Sequence, residues 1–200
     1  MTLYGGTGSC HTGGWIAFFY DGCGTAYELS PDSGGGWTET ILYNFIRGGG
    51  FGVFPSAGLF FDKVGNLYGT SRAGGDGYGA FFELRHFQKN GWQLEDLHFF
   101  YGNPDGQAPI GRLLPDAEGS VFGVTRYGGA NETGVVFELR RGKERWKERI
   151  LYDFPSTSYS ISPQAGLVSD SHNRLYGTTE YGGRGTACNA GCGTVYEVIP

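Results

Sequence analysis

Four cysteines stand in two pairs, Cys10 with Cys23 and Cys188 with Cys192. The second member of each pair opens the same phrase, Cys23-Gly24-Thr25-Ala26-Tyr27-Glu28 and Cys192-Gly193-Thr194-Val195-Tyr196-Glu197. Two thiols that bracket one loop can close it as a disulfide, and four cysteines allow three connectivities. The repeated placement favours Cys10–Cys23 and Cys188–Cys192. Zinc is the rival, supported by His11 beside Cys10 and by the Cys-x-x-x-Cys spacing. However, neither pair has a second pair nearby in sequence, and His11 has no counterpart near Cys188. The expectation is two disulfides and no metal, which implies an oxidising compartment.

Carboxylates recur as Glu28, Glu83, Glu138 and Glu197. A pair of carboxylates at defined separation can cleave a glycosidic bond. Acid–base work needs unlike environments, whereas these four occupy one repeated slot. Each alternates with apolar neighbours, so the expectation places them on the less buried side of a strand or at a sheet edge. Asp62, Asp116 and Asp170 precede Gly or Asn and suit turns. His98 takes the slot of Tyr43 and Tyr152 and is expected to be packed or half-buried. His86 and His172 fall at turns. No Ser/His/Asp order stands out. Gly75-x-Gly77-x-Gly79 has no strand-to-helix context to make it a phosphate loop. The run Arg140 to Arg149 holds six basic residues and is expected to be a solvated hairpin tip. No catalytic residue and no cofactor is assigned.

The strongest binding candidate lies between Cys10 and Cys23. It gathers Trp15, Phe18, Phe19 and Tyr20 on one loop that a disulfide would stiffen. Aromatics on a pre-organised loop suit sugar stacking or protein contact. The competing expectation is that they cover the open face of an incomplete first unit.

The elements that must carry these residues follow from composition and repetition. Of 200 residues 38 are glycine, while 16% are aromatic. A flexible linker lacks such aromatics, and helices do not tolerate glycine at one residue in five. That leaves aromatic strands punctuated by glycine turns. The net charge of −5 argues against nucleic acid as a partner. No stretch is long and apolar enough for a membrane helix, so no membrane span is expected in this chain.

Repetition organises the strands. Ala57-Gly58-Leu59-Phe60-Phe61-Asp62 with Leu67-Tyr68-Gly69 returns as Gly111-Arg112-Leu113-Leu114-Pro115-Asp116 with Val121-Phe122-Gly123. A third copy is Ala165-Gly166-Leu167-Val168-Ser169-Asp170 with Leu175-Tyr176-Gly177. A Tyr/Phe-Glu-Leu run and a Trp-to-Phe run complete each unit, the latter beginning at Trp37, Trp92 and Trp146. Four consecutive antiparallel strands in roughly 50 residues describe a β-propeller blade. A sheet flanked by two others is apolar on both faces, as Gly58-Leu59-Phe60-Phe61 and Val135-Val136-Phe137 are. Period-two alternation places Trp146, Ile150, Tyr152 and Phe154 on one face. The expected fold is all-β, with propeller-type four-stranded antiparallel blades, about 3.5 of them. Units fall at 1–54 (incomplete), 55–108, 109–162 and 163–200 (incomplete), within one repeat domain.

The pattern Ala-Gly-Leu-Val-x-Asp, Leu-Tyr-Gly-Thr-Thr-x-Tyr-Gly-Gly and Cys-Gly-Thr-Val-Tyr-Glu-Val resembles the GloVer tandem repeat, over nearly the whole chain. That resemblance implies a bacterial surface or secreted location and no particular chemistry. A looser likeness to kelch repeats rests on the Gly-Gly pairs at 74–75, 128–129 and 182–183. The chain begins and stops mid-unit, so the expectation is a fragment of a longer repeat protein with a truncated start. The alternative is a complete small propeller. The function expected is a non-catalytic extracellular binding or scaffold module. Its partner would be a carbohydrate or protein ligand, with self-association through the incomplete blades. The alternatives are a polysaccharide-active propeller enzyme and an intracellular kelch-like interaction module.

Overall fold

The structure, a computed structural model, describes residues 23–46, 52–74, 77–156, 161–184, 188 and 191–200. Every element among them is a β-strand, and every pairing is antiparallel. The first sheet pairs β1 (Thr25–Pro31) with β2 (Trp37–Asn44). The second runs β3 (Val53–Pro55), β5 (Leu67–Ala73), β6 (Ala80–Phe87), β7 (Gly91–Phe99), with β4 (Phe60–Phe61) also on β5. The third is a four-stranded meander, β8 (Gln107–Pro115), β9 (Val121–Tyr127), β10 (Val135–Arg141) and β11 (Trp146–Asp153). The fourth holds β12 (Val168–Ser169), β13 (Leu175–Thr179) and β14 (Thr194–Val198).

Three buried clusters fill the gaps between successive sheets. Ala26 and Phe45 of the first sheet pack with Leu67, Phe82 and Leu84 of the second. Phe60, Tyr68, Phe81 and Phe100 meet Leu113, Val135, Phe137 and Leu139 of the third. Phe122, Val136 and Phe154 then meet Leu167, Leu175 and Val198 of the fourth. Because a middle sheet is covered on both faces, Val135, Val136 and Phe137 are all wholly buried in succession. Phe61, expected to join them, lies at the end of its short strand and is exposed.

The gaps are not uniform in width. At the first strands of neighbouring sheets the backbones nearly touch: a Cβ on Gly166 would collide with the Arg112 backbone. Ser56 Oγ donates to the Pro109 carbonyl, 3.0 Å away, between the second and third sheets. At the last strands, large side chains hold the sheets apart. Trp146 of β11 reaches across to Phe81, ring centroids 5.1 Å apart.

One irregularity overturns the expected alternation of the Trp strand. Between β10 and β11 the register runs Phe137 to Ile150, then Val136 to Tyr152, so Leu151 is the extra residue of a bulge. A bulge reverses which residues face which side. Trp146 and Ile150 therefore pack toward the second sheet, whereas Leu151 and Phe154 pack toward the fourth. Tyr152 remains exposed. The same slip recurs at Leu42 and Leu97. One strand thus supplies side chains to both gaps.

Glycine makes two of the repeated contacts possible. Gly69 lies under the Phe82 ring and the Leu59 side chain; an added Cβ would meet them at 2.8 and 2.6 Å. Gly123 stands in the same relation to Phe137 and Leu113, and Gly177 to Tyr196 and Leu167. Before β6, β10 and β14, Gly79, Gly134 and Gly193 take φ of 111°, 95° and 87°. This lets Ser71 and Thr125 hydroxyls accept from the Ala80 and Val135 amides, and Thr179 from Thr194.

Gly123→Ala is expected to lower stability by roughly 1–3 kcal/mol through overpacking. Adding Phe137→Leu, which withdraws the ring edge, should make the double variant less destabilised than the two costs summed. Urea unfolding midpoints of the four proteins measure this coupling; additive effects would show that the ring does not rest on Gly123.

Candidate functional site

Two of the four repeated glutamates, Glu83 and Glu138, are not at edges. Glu83 and Glu138 are 2% and 1% exposed, because a middle sheet has no outward face for alternation to use. Glu28 and Glu197, on the first and fourth sheets, are exposed as expected. Buried carboxylates must be compensated. Tyr68 Oη donates to Glu83 at 2.7 Å, and Arg85 pairs with it at 2.6 Å. Arg140 and Arg149 pair with Glu138 at 2.5 and 2.8 Å. Burial alone would raise the Glu138 carboxyl, but hydrogen bonds from Arg140, Arg149 and Ser120 outweigh it and hold it below the ordinary value. Part of the basic run is therefore not simply a solvated tip. These carboxylates are bound into packing by tyrosine and arginine.

The aspartates behave as the turn reading expects. Asp62 accepts from the Val64 and Asn66 amides, both at 2.9 Å. Asp116 accepts from Ser120, and Asp170 from His172 and Arg174.

A different polar group, not repeated between units, lies between the second and third sheets. His98 sits on β7, Glu148 on β11, and Asp105 on the turn leading into β8. Their ligand-capable atoms all lie within 4.8 Å of one another. His98 Nε2 and Glu148 Oε2 are 3.2 Å apart, with side chains 16% and 7% exposed. The contact is poorly aligned: His98 Nε2 and Glu148 Oε1 are buried without a hydrogen-bond partner in good geometry among the described residues. Burial pushes the Glu148 carboxyl up, His98 opposes that rise, and the Asp105 charge adds to it. The His98 ring packs edge-on against Phe100, centroids 4.9 Å apart. Sequence reasoning treated His98 as a packed substitute for tyrosine, and it is half-buried. It did not connect Glu148 or Asp105 with His98, because only the stacking of the third sheet on the second brings the three together.

Asp96 is a second unrepeated carboxylate, on the opposite face of β7. It accepts from the Gly52 amide at 2.9 Å, while its Oδ1 has no partner among the described residues. Burial pushes its pKa up to about 6. Elsewhere, a groove of about 240 Å³ between the third and fourth sheets is lined mainly by Phe154, Ile161 and Tyr196, with Glu197 at its edge.

The Cys188–Cys192 disulfide is formed, its Cα atoms 5.5 Å apart. Cys23 is wholly buried and disulfide-bonded. Cys10, Trp15, Phe18, Phe19 and Tyr20 lie outside the described residues.

Stacked antiparallel sheets built from one recurring set of contacts define an all-β tandem-repeat protein. The family model of the Gloeobacter/Verrucomicrobia repeat matches residues 2–200, and the chain belongs to that family. No curated protein and no solved structure matches it.

Asp96 binds its proton more tightly when folded, so its contribution to stability is present at acid pH. That contribution is lost as pH rises through about 6. Asp96→Asn removes the dependence. The stability of the variant relative to the parent is expected to rise by about 1–3 kcal/mol between pH 4 and pH 8. Urea titrations at several pH values check this, and a flat difference would contradict it.

Proposed function

We propose that this chain is a non-catalytic extracellular binding or scaffold module built of propeller-type repeats, with units at about 1–54, 55–108, 109–162 and 163–200. The observation that carries the proposal is the use made of the repeated polar residues. Glu83 and Glu138 are held by Tyr68, Arg85, Arg140 and Arg149 inside sheet contacts. What repeats is therefore used in packing, and recognition falls to what does not repeat, the loops. The wedge shape of the gaps supports the propeller: backbones meet at the first strands and large side chains separate the last ones. The Cys188–Cys192 disulfide, closing an exposed loop, supports an oxidising location. No helix among the described residues is long and apolar enough to cross a membrane.

The ligand is a carbohydrate or a protein surface, taken by the loop carrying Trp15, Phe18, Phe19 and Tyr20. A panel of soluble bacterial and plant polysaccharides, titrated calorimetrically against the full chain, tests this. Trp15→Ala combined with Tyr20→Ala should weaken the strongest interaction at least tenfold. Release of reducing sugar from any of these glycans would instead make the protein an enzyme.

Apolar side chains exposed on the two outer described sheets support self-association as part of this reading. Trp92 and Trp146 pack into a neighbouring sheet, whereas Trp37, in the same slot, is 66% exposed with Leu29 and Ile41 beside it. At the other end Val168 and Val195 are 64% and 80% exposed, in the slots that Leu114 and Val136 fill toward the fourth sheet. Light scattering after gel filtration should show assemblies larger than one chain that Trp37→Glu disperses. A monomer at every concentration would end this part of the proposal.

A further inference from the structure

We propose that His98, Asp105 and Glu148 form a binding site for a single zinc ion that ties the second sheet to the third. The three residue types are those that zinc takes, an imidazole nitrogen and two carboxylate oxygens, leaving a fourth position for water. They come from three separate elements: β7, the turn that leaves it, and β11. They share a space in which all three ligand atoms fall within 4.8 Å. Zinc bonds of about 2.0–2.2 Å would draw these atoms to roughly 3.3 Å, an adjustment of up to about 1.5 Å in each separation.

The second observation is the lack of partners. Glu148 is 93% buried at its side chain, which is the complement of its 7% exposure, yet its Oε1 has no hydrogen-bond partner among the described residues. His98 Nε2 is also buried, and its 3.2 Å contact with Glu148 Oε2 lacks good hydrogen-bond geometry. Contrast Glu83 and Glu138, whose buried oxygens meet arginine in good geometry. The charged groups bearing on Glu148 are His98 and Asp105. A lone imidazole cannot neutralise two carboxylates, even when protonated. A divalent ion balances both, and lets the imidazole act as a neutral donor. The imidazole also argues for zinc over calcium or magnesium, which prefer oxygen alone.

Asp105 is placed firmly enough to serve. Its turn is closed by two backbone bonds, Gly102 N to Gly106 O at 2.9 Å and Gly106 N to Gly102 O at 2.8 Å. The Tyr101 amide donates to Asp105 Oδ1 at 3.0 Å. A hydrogen-bonded carboxylate is how a ligand is commonly oriented. The site also breaks the repeat. The slots of His98 hold Tyr43 and Tyr152 elsewhere; that of Glu148 holds Leu94 in the second sheet and Glu39 in the first, so it is the imidazole facing the carboxylate that does not recur. Packing between sheets does not need these residues, since the neighbouring gaps form without them.

The test uses the full chain, oxidised and stripped of metal by a chelator that is then removed. Zinc chloride titrated calorimetrically at pH 7.5 should bind at one equivalent, with micromolar or tighter affinity. Cobalt in its place should give a visible absorption band from the imidazole-bound ion. His98→Phe, which keeps an aromatic against Phe100, and Asp105→Asn, on the turn, should each weaken zinc at least tenfold and remove the cobalt band. Circular dichroism confirms folding; if Glu148→Gln misfolds, these two variants still decide. Absence of binding by the parent chain overturns the proposal. So does zinc affinity unchanged in both variants, which would place the ion elsewhere, or saturation by calcium in preference to zinc.

Discussion

The constraint on which everything else depends is that a four-stranded sheet with two apolar faces has no stable existence alone. Each face must be covered, and in the three gaps among the described residues it is covered by the next copy of the same sheet. The contact is therefore made once and reused: Phe45, Phe100 and Phe154 occupy one slot, and Leu67, Val121 and Leu175 another. Stability in such an array is close to a sum over neighbouring contacts, and the outer two of the described sheets make the fewest of them. That is where the exposed Trp37, Val168 and Val195 lie.

Two local devices make the sheets stackable. The bulge at Leu42, Leu97 and Leu151 turns the last strand so that it contributes to both gaps. The missing Cβ at Gly69, Gly123 and Gly177 lets an aromatic from the adjacent strand lie flat across the sheet. Each is a concession in the ladder or in backbone entropy, repaid by burial of a large ring. The buried Glu83 and Glu138 follow from the same geometry: with no outer face on a middle sheet, alternation sends a carboxylate into the interior, and arginines must follow it.

Against this regular background the unrepeated residues carry the information. Asp96 and the group of His98, Asp105 and Glu148 lie on the two sides of β7, in different gaps. Neither carries charge compensation of the arginine kind found around the repeated glutamates. A repeat array offers many equivalent positions, and function gains specificity where one of them departs from the rule. The loops are the other place where units differ, as the cysteine-bracketed segments show.

The repeat, the all-β class, the antiparallel strands, the turn aspartates and the Cys188–Cys192 pairing were readable in the sequence, because each rests on local chemistry: periodicity, turn propensity, and proximity along the chain. The shared face assigned to Trp146, Ile150, Tyr152 and Phe154 was not, since a bulge is a property of two paired strands and leaves no mark in one of them. The edge position assigned to Glu83 and Glu138 failed for a related reason: burial depends on what stacks above a strand, and period-two alternation assumes one wet face. The grouping of His98 with Asp105 and Glu148, 50 residues from one end to the other, exists only once the second and third sheets are stacked. Residue type and spacing determined the strands and their pairing; which side chains meet between sheets was decided by stacking, because those contacts join residues that no local pattern relates.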